Sequence, residues 1–564
     1  MREYTVADAI LDTLKAHGIT TIFGYPGGAI LPFYDALPSH QEIQHVLVRN
    51  EQGAAFAAQG WARSTRQIGV CCATSGPGGT NFVTGIADAY LDSIPLLCIT
   101  GQVPLSMIGK DMFQEVDMTG ITLNITKHNY LVENSEDIVR IVTEAIHIAT
   151  SGRPGPVHID VPKNIMAATH PRHFKIPKVN FSEIDPTLKA YQPNSEMMLS
   201  EVIDLLNQAK NPVLLLGHGI KLAQAESLAN DLVMTLRIPT TTTILGKGIM
   251  ASNNQCYLGM LGMHGFYASN LAVHNADLIL NIGSRFDDRI VGRYDAFSQK
   301  AKIIHVDIDA SELGKVVTPD LPIHSDAKIF LKQLLTHSKI KPLAISDWWE
   351  QIRQWQKNHP YQIQTADFTI RTCLEAINDL IAKEPASYIL VTDVGQHQMW
   401  AALSCNVPST WQWLSSGGSG TMGFGLPAAI GAAFAHKDKT IICLSGDGGI
   451  QMNIQELGTL AQYNLNVKVC ILNNGYLGMV RQWQELFYER NYSAVEIPSP
   501  NYQKIAEAYG LKGSKITTKE ILDQQLPALF TKKAPQIIEF KVKKEDNVFP
   551  MVPGGKTLGE TIME

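Results

Sequence analysis

The sequence has few cysteines and no C-x-x-C pair among its eight, which excludes a zinc ribbon or a redox dithiol. The thiols at 71, 72, 98, 256, 373, 405, 443 and 470 fall mostly in apolar, strand-like stretches, predicting buried, reduced cysteines in a cytoplasmic protein. No apolar run approaches the ~20 residues a membrane span needs. "PVLLLG" and "IPLLCIT" have the length of buried strands, so no membrane association is expected. There is no block of Lys and Arg and the net charge is −6, which argues against nucleic acid or any other general polyanion partner. Neither a low-complexity tract nor a secretory signal or organellar presequence is visible: "MREYTVADAILDTLKAHG" instead places Val6, Ile10, Leu11 and Leu14 on one helical face.

What is present is globular, 45% apolar and 18% charged over 564 residues, too long for one ordinary core. From 1 to 170, apolar β-type runs ("TTIFGYPGG", "HVLV", "IGVCCAT", "PLLCIT", "PVHIDVP") alternate with stretches of helix length, the pattern of a doubly wound parallel sheet. The Pro-rich "THPRHFKIPKVNFSEIDPTLKAYQP" reads as a linker. Alternation resumes over 190–340 ("NPVLLLGHGI", "ADLILNIGS", "AKIIHVDID"), fades near "LAISDWWEQ", and returns over 360–545 ("ASYILVTDVG", "TIICLSGDGG", "VKVCILNNG", "APQIIEFKV") before a tail at 546–564. The fold class is α/β, three doubly wound parallel-sheet domains in series, with glycine at strand ends where open parallel sheets bind ligands.

In "LSGDGGIQMNIQELGTLAQYNLNVKVCILNNGYLG", Asp447 lies between glycines at the end of one predicted strand, and Asn473 and Asn474 end the next; a helix is expected over 453–463. A carboxylate and an amide oxygen at one sheet edge suit Mg²⁺, which is completed by phosphate and water. The backbone amides of Gly448 and Gly449 suit the phosphates. Asp-Gly and Asn-Gly are also common turn formers, and "GSGTMG" at 418–423 matches G-x-G-x-x-G, so a turn pair or a nicotinamide site fits these residues too.

The aspartate followed at this spacing by two asparagines resembles the diphosphate motif of thiamine diphosphate enzymes. The resemblance implies that Asp447, Asn474 and the backbone carbonyl of Tyr476 hold Mg²⁺. It further implies that Glu51, in "VRNEQGAAFAAQGWAR", shares a proton with the aminopyrimidine ring. Pro77 and Asn81 in "TSGPGGTN" match its pyrimidine-side loop, and Val394, Gly395, Gln396 and His397 in "DVGQH" its diphosphate-side loop. Gly420 and Met422 match the turn whose bulky residue keeps the cofactor bent.

Longer stretches ("FGYPGGAILPFYDAL", "DMFQEVDMTGITLNITKHNYLV", "RPGPVHIDVPKN", "LGMHG", "SRFDDR", "MVRQWQELFY", "FPMVPGG") resemble the acetolactate synthases in their catalytic subunit, from near the first residue to near the last. This implies decarboxylation of pyruvate and ligation of the two-carbon unit to pyruvate or 2-ketobutyrate, giving 2-acetolactate or 2-aceto-2-hydroxybutyrate for valine, leucine and isoleucine. The absence of an adjacent His-His pair, used by simple decarboxylases of the superfamily, favours ligation. Gln114 and Phe113 then approach the reacting carbon, Lys163 lines the entrance, Arg289 anchors the acceptor carboxylate, and Trp483 and Met479 shape the pocket; beside Asp287 and Asp288, Arg289 is also open to an ordinary ion pair. The central block resembles the flavin-binding members: Arg153, Gly217, Gly219, Gly262, Met263, His264, Arg285, Asp307 and Asp326 fall where that family contacts FAD. A homodimer or homotetramer and a small regulatory subunit are implied. The alternative within the superfamily is a flavin-linked pyruvate oxidase or another thiamine diphosphate carboligase.

Overall fold

Runs rich in Val, Ile and Leu form three six-stranded sheets, all of whose pairings are parallel. The computed structural model describes residues 3–176, 195–361 and 367–563. Most of the linker read from the sequence, 177–194, lies outside the described residues. The first sheet comprises β1 (Thr21–Gly24), β2 (Gln44–Leu47), β3 (Gly69–Ala73), β4 (Leu96–Gln102), β5 (His128–Leu131) and β6 (Pro156–Pro162), in the order β2-β1-β3-β4-β6-β5. The second comprises β7 (Pro212–Leu216), β8 (Thr240–Thr242), β9 (Tyr257–Met260), β10 (Leu278–Ile282), β11 (Lys302–Asp307) and β12 (Leu321–His324), ordered β12-β11-β10-β7-β8-β9. The third comprises β13 (Tyr388–Thr392), β14 (Trp413–Ser415), β15 (Thr440–Gly446), β16 (Val467–Asn473), β17 (Lys512–Ile516) and β18 (Gln536–Lys541), ordered β14-β13-β15-β16-β18-β17. The outer sheets therefore share one strand order, while the central sheet has the dinucleotide-fold order. In each, direction reverses beside the first strand, between β1 and β3, β7 and β10, and β13 and β15, and ligands bind at such reversals.

The continuous apolar runs follow from burial on both faces. In the first sheet Phe23, Cys71 and Cys98 face one core while Ile22, Val70, Cys72 and Leu97 face another. In the third, Ile389, Ile441 and Val469 enter that same first core, and Leu390, Ile442 and Cys470 a separate one. The outer sheets thus share a core, built on two helices, Glu51–Thr65 and Gly425–Ala435. These cross with backbone against backbone: a Cβ at Gly60 would lie 2.0 Å from the Ala428 carbonyl oxygen, and one at Gly431 would lie 1.8 Å from that of Ala57. Phe56 meets Phe424 edge-on at 5.6 Å, and the Arg63 guanidinium lies 5.0 Å over the Phe424 ring. All eight cysteines are free and buried, as their contexts predict. The helix Val6–Ala16 buries Val6, Ile10, Leu11 and Leu14. The helix Ser346–Asn358, where the sequence alternation fades, belongs to the central sheet: Trp348 is buried and its indole donates to the Pro212 carbonyl at 3.2 Å.

Candidate active site

β15 and β16 end side by side, which brings Asp447 beside the Asn473–Asn474 pair. One correction to the sequence pattern applies here. The helix expected over 453–463 begins at Asp447 itself (Asp447–Met452), breaks at Asn453, and resumes as Leu457–Gln462. The break has a physical cause: Asn453 leaves helical geometry at φ −134° and turns its amide onto the Gly423 carbonyl at 2.9 Å. Gly448 and Gly449 therefore sit in the first helical turn, with amides that have no partner inside the helix.

Val394, Gly395, Gln396, His397, Met422, Asp447, Gly448, Gly449, Asn474, Tyr476 and Met479 line one cleft. The Asp447 carboxylate accepts from Gly475 N at 3.0 Å and Ser499 Oγ at 2.9 Å, and burial pushes its carboxyl above the usual range. Among the described residues the Asn474 amide oxygen accepts only a local turn bond, from Tyr476 N at 3.1 Å. A carboxylate, an amide oxygen and a nearby backbone carbonyl form a hard-oxygen set that suits Mg²⁺, whose charge would favour the ionised aspartate. The phosphate side fits as well: among the described residues the buried His397 Nε2 has no hydrogen-bond partner, and burial lowers that ring to about 4, leaving it neutral at physiological pH. Gly420 has φ +60°, and a Cβ there would sit 3.9 Å from Val394, so its turn rests on the same loop.

Glu51 is the first residue of its helix, capped by the Asn50 side chain on Gln52 N at 2.9 Å. It is buried, and its Oε2 accepts from Asn81 Nδ2 at 2.9 Å. Pro77 opens the short helix Pro77–Thr80 that presents Asn81. Gln114 packs on the turn before it, since a Cβ at Gly76 would come within 2.9 Å of Gln114 Cα, and Gln114 itself takes φ +60°. Phe113 projects from this loop, 87% exposed. Lys163, also exposed, begins the short helix after β6. Glu51 is not among the residues lining the Asp447 cleft of its own chain.

Arg289 is 62% exposed, and its pair with Asp288 spans 3.8 Å, so that pair leaves the guanidinium largely unengaged. Its backbone accepts from Met263 N at 2.7 Å, and Val552 N in the tail donates to the Met263 carbonyl at 2.7 Å. The tail also holds the helix Gly478–Phe487: Gln482 exchanges bonds with Val548 at 2.8 and 3.0 Å, and a Cβ at Gly554 would touch Trp483 at 3.4 Å. Met479 and Trp483, four residues apart, occupy one face of that helix. Its start is pressed on the cleft, where a Cβ at Gly478 would strike Gln396 Oε1 at 2.1 Å.

A second cavity, of about 440 Å³, opens at the β7/β10 reversal and is lined by Arg153, Gly219, Arg285, Asp307 and Asp326 with Leu91, Asp92 and Leu245. The volume is that of a cofactor or small-ligand site. Gly217 allows the strand ends to close up, since a Cβ there would be 2.1 Å from the Gly283 carbonyl oxygen. Arg153 is held by Glu312 at 2.7 Å and Asp309 at 3.2 Å. Burial raises the Asp307 carboxyl to about 6, and Asp326 caps the helix Ala327–Thr336. Gly217, Gly262, Met263 and His264, expected with these contacts, are not among the residues that line the cavity. The last three follow the edge strand β9, away from the reversal, and join Arg289 and the tail.

Sequence reasoning missed the residues that hold the parts together. Asp393 accepts from Val394 N, Gly423 N, Gly425 N and Ser445 Oγ, joining three segments of the cleft. Glu456 accepts from Arg49 N at 2.8 Å and Asn50 N at 3.0 Å, anchoring the segment before Glu51 to the third domain. Acids set in apolar, strand-end stretches are the signal, and their partners lie too far off in sequence to be read.

Three family models match in series: the thiamine pyrophosphate enzyme N-terminal TPP binding domain over 4–121, its central domain over 199–334, and its C-terminal TPP binding domain over 393–540. The chain is 45% identical to the acetolactate synthase large subunit of Lactococcus lactis subsp. lactis (strain IL1403), over 98% of this chain and 95% of the relative. It is 44% identical to the acetolactate synthase isozyme 1 large subunit of Escherichia coli (strain K12), over 100% and 98%. With the acetolactate synthase large subunit of Pyropia yezoensis the identity is 43%, over 99% and 95%. A cleft with a hard-oxygen set beside a buried, unpartnered imidazole nitrogen, a buried glutamate at a helix start on a second domain, and relatedness along the whole length lead to one conclusion: the chain belongs to the acetolactate synthase large subunits among the thiamine pyrophosphate enzymes.

Proposed function

We propose that the chain decarboxylates pyruvate and ligates the two-carbon unit to a second 2-keto acid, pyruvate or 2-ketobutyrate, giving 2-acetolactate or 2-aceto-2-hydroxybutyrate for branched-chain amino acid synthesis. The observation that carries this reading is the cleft in which Asp447, Asn474 and Tyr476 stand beside the unpartnered His397 Nε2. Thiamine diphosphate, when bound, supplies the electron sink for decarboxylation. Asp447, Asn474 and the Tyr476 carbonyl would hold Mg²⁺, and the Gly448 and Gly449 amides would donate to the diphosphate, with His397 lining the same cleft. Glu51, its carboxyl group oriented by Asn81 on Oε2, is the acid–base group for the aminopyrimidine ring. Arg289 receives the acceptor's carboxylate, for which its loose ion pair leaves it available. Met479 and Trp483 shape an apolar wall around the acceptor's alkyl group, and Phe113 and Gln114 close over the reacting carbon and exclude water. FAD is assigned to the central cavity through Arg153, Gly219, Arg285, Asp307 and Asp326.

The proposed functional unit is a homodimer or larger homo-oligomer. Large apolar side chains are exposed on both domains, Phe113 and Leu123 on one, Met452 and Tyr488 on the other. Relatives are named as large subunits, which supports a small regulatory partner. Among the described residues no helix is long and apolar enough to cross a membrane, and the buried free thiols support a cytoplasmic site. Anaerobic incubation with pyruvate, thiamine diphosphate, Mg²⁺ and FAD tests the assignment: acetolactate should accumulate, whereas flavin reduction without a ligated product refutes it in favour of a pyruvate oxidase.

A further inference from the structure

The turn between β14 and the helix Gly425–Ala435 lines the cleft at one end and packs against the lining of the central cavity at the other. At its leading end Gly417 N and Gly418 N donate to Asp92 at 3.0 and 2.7 Å. Ser416 Oγ and Thr421 Oγ1 donate to Asp88, the latter at 2.8 Å. Both aspartates are fully buried and share Arg63, at 2.8 Å from Asp92 and 3.2 Å from Asp88. This end also packs against residues that wall the central cavity. A Cβ at Gly417 would meet Leu245 at 2.7 Å, and one at Gly418 would meet Asp92 at 3.1 Å and Arg285 and Leu91 at 3.2 Å. All four of those residues line the cavity. At the trailing end Gly423 N donates to Asp393 Oδ1 at 2.9 Å, the carboxylate that also receives Val394 N, and Met422 lines the diphosphate cleft.

A segment so placed cannot move at one end without disturbing the other. Its leading amides have exchanged water for a buried carboxylate pair, and its trailing amide shares an acceptor with the phosphate loop. A ligand that packs against Leu91, Leu245 and Arg285 favours one setting of the turn, and whatever coupling this produces is equal at the two sites. We propose that the Ser416–Gly423 turn couples the two cofactor sites, so that FAD in the central cavity tightens binding of thiamine diphosphate in the cleft, and thiamine diphosphate tightens FAD equally. The proposal rests on the assignment of the two cavities given above, and gives a flavin a task that needs no electron transfer.

The test is isothermal titration of the chain, stripped of both cofactors, with thiamine diphosphate in saturating Mg²⁺, with and without FAD. FAD should lower the thiamine diphosphate Kd about fivefold or more, the range of ordinary allosteric coupling, and the reciprocal titration should give the same ratio. Thr421→Val keeps the side chain's shape but removes its bond to Asp88, and Ser416→Ala removes the second hydroxyl that Asp88 accepts from. In both variants the ratio should fall toward one while each cofactor still binds. Should Ser416→Ala not fold, the isosteric Thr421→Val decides. A wild-type Kd that FAD leaves unchanged, or FAD that does not bind, overturns the coupling, and a full ratio in Thr421→Val overturns the route. Thiamine diphosphate that fails to bind under any of these conditions refutes the functional assignment itself, and the coupling with it.

Discussion

Gly431→Ala should destabilise the chain although alanine is the better helix former. The added Cβ would sit 1.8 Å from the Ala57 carbonyl oxygen and 2.9 Å from Trp61 N. Ordinary contact needs about 3.4 Å, so the helices Gly425–Ala435 and Glu51–Thr65 must part by more than 1 Å, because backbone, unlike a flexible side chain, cannot swing aside. A gap of that size forfeits a quarter to a half of each affected dispersion contact. Here it runs through a core that includes Ala54, Ala58, Phe56 and Phe424. Overpacking typically costs about 1–3 kcal/mol, and the upper end applies where both partners are main chain. Against it stands a helix-propensity gain of about 1 kcal/mol. The net loss is about 2 kcal/mol, several degrees in apparent Tm by differential scanning fluorimetry. Gly28→Ala, whose Cβ meets nothing within 4 Å, is the paired control and should leave Tm within about 1 °C of wild type. Equal Tm values for Gly431→Ala and wild type would refute the close crossing, and with it the rigid placement of Glu51 at the start of its helix.

Glu51→Gln should lower acetolactate formation by about 10²- to 10⁴-fold, as expected for loss of a general acid–base group, with thiamine diphosphate still bound by titration; unchanged turnover contradicts its role. Asp447→Asn should weaken thiamine diphosphate binding far more than FAD binding, and equal loss of both would indicate misfolding. Arg289→Ala should raise KM for pyruvate by about 10-fold or more, the worth of a charge-assisted contact, and an unchanged KM removes it from the acceptor site. Burial raises the Asp160 carboxyl to about 7, with Thr100 Oγ1 and Gln102 Nε2 at 2.6 and 2.8 Å. The folded chain therefore keeps a proton that the unfolded chain loses near pH 4, and this group's contribution to stability falls as pH rises from about 4 to about 7. His158, lowered to about 3 by burial, has the opposite sign but is common to wild type and Asp160→Asn. The stability of Asp160→Asn relative to wild type should thus grow across that window by at most about 1.4 kcal/mol per pH unit, read as the difference in apparent Tm; a flat difference refutes the buried proton.

Much of this was readable in advance because parallel strands buried on both faces leave unbroken apolar runs: "TIICLSG", "VKVCILN" and "PVLLL" are strands in the structure. Asp447, Asn474 and Tyr476 were legible because adjacent parallel strands bring consecutive strand ends together. What was hidden depends on distant partners. Nothing in "TDVG" shows that Asp393 will collect amides from Gly423 and Gly425. Nothing in "ADAYLDS" shows that Asp88 and Asp92 will close on a turn some 300 residues later. The break at Asn453 was missed because helical periodicity continues through it, and only the Gly423 carbonyl makes the interruption favourable. That Gly262, Met263 and His264 meet Arg289 and the tail is likewise invisible in "LGMHG", because those partners lie far off in sequence.

The common strand order of the first and third sheets has a practical corollary. One architectural corner, the gap beside an opening strand, has been furnished twice: once with a glutamate and an asparagine, once with oxygen ligands and glycine amides. The division of labour therefore resides in the short connections and not in the strands beneath them, so exchanging a few loop residues between the two halves should rewrite what each corner grips while leaving its scaffold standing.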